Sequence, residues 1–169
     1  QYQREGAQAS AVQDHFADLS TAMKGQDVFI GLSTADVLTA ADVETMANDP
    51  IIFALANPKP EIDPALAKDG GATVIATGSS QYPNQVNNIL AFSGLYKGLL
   101  QTDIKQVTLE LETQIARSLA NMIRQPEAGK IIPGVFDDGV VETVSQSVID
   151  FAKVNEEWLS GSSNPQSKD

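Results

Sequence analysis

Pro50-Ile-Ile-Phe-Ala-Leu-Ala-Asn57-Pro58-Lys-Pro-Glu61, then Ala72-Thr-Val-Ile-Ala-Thr-Gly78, then Tyr82-Pro-Asn-Gln-Val-Asn-Asn-Ile-Leu-Ala-Phe92, is the stretch that decides the fold. Twice an uninterrupted apolar run stops at a polar, loop-forming group: Ile51 to Ala56 at Asn57-Pro58, and Val74 to Ala76 at Thr77-Gly78. Apolar runs without alternation suit strands covered on both faces, as in a parallel sheet between helices. Ligands of open α/β sheets bind outside the carboxyl ends of such strands. Asn57, the Thr77-Gly78 turn and the Asn84 to Asn88 cluster therefore fall where chemistry is expected.

Working outward, the spacing predicts a helix over Ala9 to Lys24, with Val12, Phe16, Leu19 and Met23 on one stripe and Gly25 as a left-handed cap. Asp27 to Gly31 reads as a strand and Leu32-Ser33-Thr34 as the turn after it. Thr39 caps a helix from about Ala40 to Ala47, which Asn48-Asp49-Pro50 breaks. Pro64 opens a short helix closed by Gly70-Gly71. Val86 to Leu100 is expected as an apolar helix, with Asn84 as one reading of its cap. Thr102 or Asp103 is expected to cap the next helix, whose stripe is Ile104, Val107, Leu111, Ile115, Leu119 and Ile123, a core or interface face. Ile131-Ile132-Pro133 reads as an extended connector. Asp137 or Asp138 starts a last helix with Val141, Val144, Val148 and Phe151 inward, and the end of the chain, 160–169, reads as a flexible tail. About three strands alternating with helices is a βαβ pattern, fewer than a complete doubly wound sheet carries. With no G-x-G-x-x-G, residues 1–159 read as the second half of a Rossmann-type parallel sheet with flanking and C-terminal helices, its first half missing. Gln1-Tyr2-Gln3-Arg4 opens the chain without an initiator Met, which reads as a processed or truncated product.

At 169 residues the chain is one domain by length. Acids outnumber Lys plus Arg 22 to 11, a formal charge of −11, which argues against nucleic acid or an anionic membrane as partner. Cysteines are absent, which excludes thiolate metal sites and cysteine nucleophiles. No apolar run approaches the roughly 18 residues that a membrane span needs, and a cytoplasmic location is the default expectation. His15 beside Asp14 reads as a surface residue and Trp158 as a packing anchor. Glu156-Glu157 and Asp137-Asp138 lack a third ligand at suitable spacing, so no metal site is expected.

Asp27-Val-Phe-Ile-Gly-Leu-Ser33, Val37-Leu-Thr39, Asp49 to Ile62 with its Ala-Asn-Pro, Ala76 to Gly94 with its Asn-Gln-Val-Asn-Asn, and Ile131-Ile-Pro133 together resemble the bacterial small-type malic enzymes over most of residues 20 to 152. The resemblance implies an oxidoreductase that decarboxylates malate to pyruvate with NAD or NADP and Mg²⁺ or Mn²⁺, usually as an oligomer. It implies that Asn57 and Asn88, with Asn87 beside them, line the malate site. It implies that the loop of Gly31, Leu32 and Ser33, together with Asn57, lines the cofactor. It also implies that the catalytic Tyr and Lys, the metal ligands and the glycine-rich fingerprint lie in a part upstream of this chain. Alone, the chain is expected to be inactive. The other reading is a non-catalytic nucleotide-binding or oligomerisation module. Side-chain amides suit a hydroxy-dicarboxylate because they donate and accept hydrogen bonds without adding charge. They cannot serve as general acids or bases.

Four positions, in three places, depart from the family pattern. Lys59 stands where Thr is usual, Ser79-Ser80-Gln81 where Arg-Ser-Asp is usual, and Ser93 where Pro is usual. Loss of the Arg weakens anion binding at the substrate loop, and Lys59 places a new cation near the same edge. Without the resemblance, Asn57 before Pro58 is also a plain turn signal.

Overall fold

Each of the three strands ends on a small or hydroxylated residue, Gly31, Ala54 and Thr77, and the three lie side by side in parallel. The computed structural model describes residues 18–159. The expectations for Ala9 to Ala17, including His15, and for the tail 160–169 lie outside those residues, as do the side chains of Glu156, Glu157 and Trp158. In chain order the elements are α1 (Leu19–Met23), β1 (Val28–Gly31), α2 (Ala40–Glu44), β2 (Ile51–Ala54), α3 (Pro64–Asp69), β3 (Val74–Thr77), α4 (Ile89–Leu99), α5 (Leu109–Asn121) and α6 (Val140–Leu159).

The sheet order is β1-β2-β3, with Val28 opposite Ile51 and Ile51 opposite Val74. Helices flank it, as a Rossmann-type half-sheet requires. One face of β2 is fully buried, through Ile52 and Ala54, while Ile51 and Phe53 on the other face are half-buried, and β1 is more open still. Val28 and Ile30 remain 47% and 63% exposed, because β1 is an edge strand with no described element on that face. Among the described residues no helix is long and apolar enough to cross a membrane.

The interior divides into two clusters. Met23, Leu38, Val43, Met46, Ile52, Ile62 and Ala67 gather α1, α2 and α3 onto the sheet. Leu90, Leu111, Ile115, Leu119, Val140, Val144 and Val148 join α4, α5 and α6. Across the second cluster α4 lies close on α6: a methyl group at Gly94 would fall 2.5 Å from Val144 Cβ, and one at Gly98 2.6 Å from Val148 Cβ. Val144 and Val148 point inward as expected, while Val141 and Phe151 are only half-buried.

Local chemistry explains where helices begin and end. Gly25 adopts φ +68°, the left-handed cap that its position predicts. Thr39 and Asp42 close a capping box on α2, with the Thr39 N–H and hydroxyl donating to Asp42 Oδ2 at 2.9 and 2.6 Å and Asp42 N–H donating back at 3.2 Å. Three helices start later than the sequence pattern predicts. α4 begins at Ile89 rather than Val86, because Val86 N–H donates to Thr77 O at 2.8 Å and Gln85 pairs beside Thr77, extending the sheet. α5 begins at Leu109 rather than after Thr102. Thr108 is its cap, with Glu110 and Glu112 in the first turn favouring the positive helix end, so Ile104 and Val107 fall in the preceding loop and Ile123 past the end. α6 begins at Val140, because Asp137 turns back to accept from Gly134 N–H and Gly139 takes φ +82°.

The Ser20 hydroxyl, followed by the Thr39 hydroxyl, holds the Asp42 carboxyl below the usual carboxylate range. A depressed folded-state pKa stabilises the protein above the unfolded value and is lost as pH falls through the folded one. Urea midpoints of wild type and Asp42→Asn should therefore differ at neutral pH and converge as the pH falls below the ordinary carboxylate range. A gap that stays constant to low pH would show that the charge plays no part.

Candidate functional site

A cleft of about 550 Å³ opens just past the carboxyl ends of all three strands, within the usual range for small-molecule sites. Leu32 enters it from the loop after β1, Leu55 and Asn57 from the loop after β2, and Gly78 from the turn after β3. The opposite wall comes from the helical cluster: Leu90, Ala91, Leu119 and Ile132. The cleft thus lies at the junction of the two cores, where the sheet rim meets the start of α4.

Asn57, Asn87 and Asn88 all line it. Asn57 sits in the loop after β2 and precedes Pro58 across a cis peptide bond. Asn88 is the first-turn boundary of α4 and makes no capping bond with its side chain. Both amides are exposed, and among the described residues neither forms a side-chain hydrogen bond. Asn87 is committed differently. Its Nδ2 donates to Gly78 O at 3.2 Å and its Oδ1 accepts from Ile89 N–H at 3.1 Å, so it joins the β3 turn to α4.

Of the loop after β1, only Leu32 reaches the cleft. Gly31 is buried and Ser33 donates its N–H to Glu61 Oε1 at 2.8 Å. Asn84 does not cap α4. It takes φ +55°, its Nδ2 donates to Ile75 O and Ala128 O, and its Oδ1 accepts from Ile131 N–H, tying β3 to the loop that delivers Ile132. That loop is also braced by Asp137, whose carboxyl the Lys130 ammonium and then Gly134 N–H hold below its usual range.

The lining carries amides and apolar side chains but no charged group. Lys59 does not line it. Its Nζ lies 2.6 Å from Asp36 Oδ2, and that pairing raises the Lys59 pKa. Ser79 is held in the β3 turn, its N–H donating to Thr77 Oγ1 at 3.2 Å. Among the described residues no group of three or more His, Asp or Glu side chains is placed to hold a metal ion. An apolar wall with a few convergent polar groups is the usual make-up of a small-molecule site.

The parallel strands, their covering helices and the crevice at their carboxyl ends define a Rossmann-type α/β domain. The chain belongs to the malic enzyme family: the family described as malic enzyme, NAD binding domain, matches residues 1–153. It is 42% identical over 153 residues to an NAD-dependent malic enzyme of Geobacillus stearothermophilus, covering 89% of this chain and 32% of that protein. It is 44% identical over 124 residues to a bifunctional malic/malolactic enzyme of Bacillus subtilis, covering 72% and 30%. The crystal structure of an NAD-dependent malic enzyme from Thermotoga maritima superposes with a TM-score of 0.80 at 40% identity, over 88% of this chain and 39% of that one. An NADP-dependent malic enzyme of Halomonas elongata is 39% identical over 109 residues, 64% of this chain and 26% of that protein. The chain spans about a third of the length of the curated relatives that it matches.

Proposed function

We propose that this chain is the cofactor- and substrate-contacting portion of a malic-enzyme-type oxidoreductase, which converts malate to pyruvate with NAD or NADP. The observation that carries this reading is the cleft at the ends of three parallel strands, where two unengaged amides, Asn57 and Asn88, face the same space. Asn57 and Asn88 orient the malate carboxylate and hydroxyl groups by hydrogen bonds. Asn87 holds the turn and helix that present Asn88. Leu32, on the loop of Gly31 and Ser33, packs against the nicotinamide side of the cleft, and its apolar neighbours exclude water there. The nicotinamide, when bound, supplies the hydride acceptor. No lining residue can move a proton, and the lining has no carboxylate to hold a divalent cation, so both tasks belong to the remaining part of the enzyme.

Two measurements test this. In the full-length enzyme, Asn57→Ala and Asn88→Ala each remove a hydrogen bond to a charged ligand and are expected to raise the malate KM about 10- to 100-fold. An unchanged KM for both would end the assignment. The 169-residue chain alone is expected to show no reduction of NAD(P)⁺ with malate and Mn²⁺, and to contribute rate only when mixed with the upstream polypeptide. Nucleotide binding without rate in that mixture would favour the non-catalytic module.

A further inference from the structure

Glu61 is fully buried, yet it does not line the cleft described above and takes no part in the proposed chemistry. Burying a carboxyl group is costly unless its oxygens are satisfied, and here each oxygen serves a different loop. Oε1 accepts from Ser33 N–H at 2.8 Å and from the Ser33 hydroxyl at 3.4 Å. Oε2 accepts from Ala56 N–H at 3.0 Å. Ser33 adjoins Leu32, and Ala56 lies between Leu55 and Asn57, the residues that these loops send into the cleft. The Glu61 backbone carbonyl also accepts from Leu38 N–H at 3.0 Å, which anchors the clamp to the segment before α2. Gly31 is shaped to the same group: a methyl there would lie 2.5 Å from Glu61 Cδ.

We propose that Glu61 is a positioning residue, which fixes the distance between the loop after β1 and Asn57 and thereby sets how cofactor and malate meet. This role rests on the assignment of Asn57 to malate. Charge-assisted bonds from backbone donors are short and directional, so one carboxylate shared by two loops transmits any shift of one to the other. Glu61→Gln keeps the size of the side chain but turns one acceptor into a donor that faces an N–H group, and one loop loses its tether.

The test is a cycle in the full-length enzyme: Glu61→Gln, Asn57→Ala and the double substitution, each with its malate KM. Misplacing a binding group by about 1 Å can cost up to about 100-fold, so Glu61→Gln is expected to raise the malate KM about tenfold or more. If it acts through Asn57, the same change made in Asn57→Ala adds less than about twofold. An equal effect in both backgrounds, or no effect in wild type, overturns the positioning role and leaves the Asn57 assignment standing. No response to Asn57→Ala overturns that assignment, and the positioning role falls with it. Should Glu61→Gln fail to fold, Glu61→Asp runs the same cycle, since its shorter carboxylate reaches only one loop.

Discussion

Gly94→Ala/Gly98→Ala is expected to lower the thermal midpoint by about 5–15 °C. The reason lies in the closeness of α4 to α6. The added methyl groups would sit 2.5 Å from Val144 Cβ and 2.7 Å from Val141 O at one site, and 2.6 Å from Val148 Cβ and 2.9 Å from Ser145 O at the other. At each site one of the obstacles is backbone, so a side-chain rotation cannot relieve the clash. Overpacking of this kind costs about 1–3 kcal/mol per site, while the better helix propensity of Ala returns about 1 kcal/mol. Packing therefore wins, and α4 must move away from α6. Because Leu90 lies on α4 and lines the cleft, the shift would reach the site as well. Gly129→Ala is the control, since nothing lies within 4 Å of a methyl placed there. A double variant that melts at or above the wild-type temperature would show that the two helices are not held together by this contact.

Asn84→Ala is expected to cost about 3 kcal/mol or more, a fall of about 6–12 °C in Tm. Asn84 is 6% exposed and makes three hydrogen bonds, two of them at 3.0 and 2.8 Å to carbonyl oxygens on separate segments. Alanine would leave Ile75 O, Ala128 O and Ile131 N–H without their partner, and would also have to adopt φ +55°, where Asn is tolerated better than Ala. Asn84→Asp keeps the shape but turns the Nδ2 donor into an oxygen facing two carbonyls, and should be at least as damaging at neutral pH. Equilibrium urea unfolding of the three proteins measures both losses. A loss below about 1 kcal/mol for Asn84→Ala would mean that water replaces the side chain and the loop is not held by it.

The contrast between these residues shows what was legible in the chain. β2 and β3 were readable because their apolar runs are unbroken, and the stop at Asn57-Pro58 and Thr77-Gly78 marks the rim where the cleft lies. Thr39 and Gly25 were readable because capping chemistry is local. α4, α5 and α6 start later than their first potential capping residues suggest. At α4 and α6 a competing bond, from Val86 N–H to Thr77 O and from Gly134 N–H to the Asp137 carboxylate, engages the expected start, and at α5 Thr108 caps the helix instead. Asn84 and Glu61 stayed hidden for a different reason. Their partners lie 44 and 28 residues away, at Ala128 and Ser33, and no local pattern reports a bond made across the fold. Asn84 reads locally as a helix cap, and Glu61 as one more acid in a chain rich in them. Asn57 and Asn88 were placed on the rim by strand ends and by resemblance, and the structure brings both to one cleft.

The open side of β1 gives the domain a direction of growth. Beyond β3, the Gln85 segment already occupies part of the margin through its pairing with Thr77, whereas among the described residues nothing pairs with the far edge of β1. A fourth strand laid along β1 in the parallel sense would run from the Val28 end towards the Gly31 end. Its final residue would then arrive beside Leu32, so whatever follows that strand is delivered to the mouth of the cleft. A polypeptide pairing there would thereby add to the wall of the cleft in the same act.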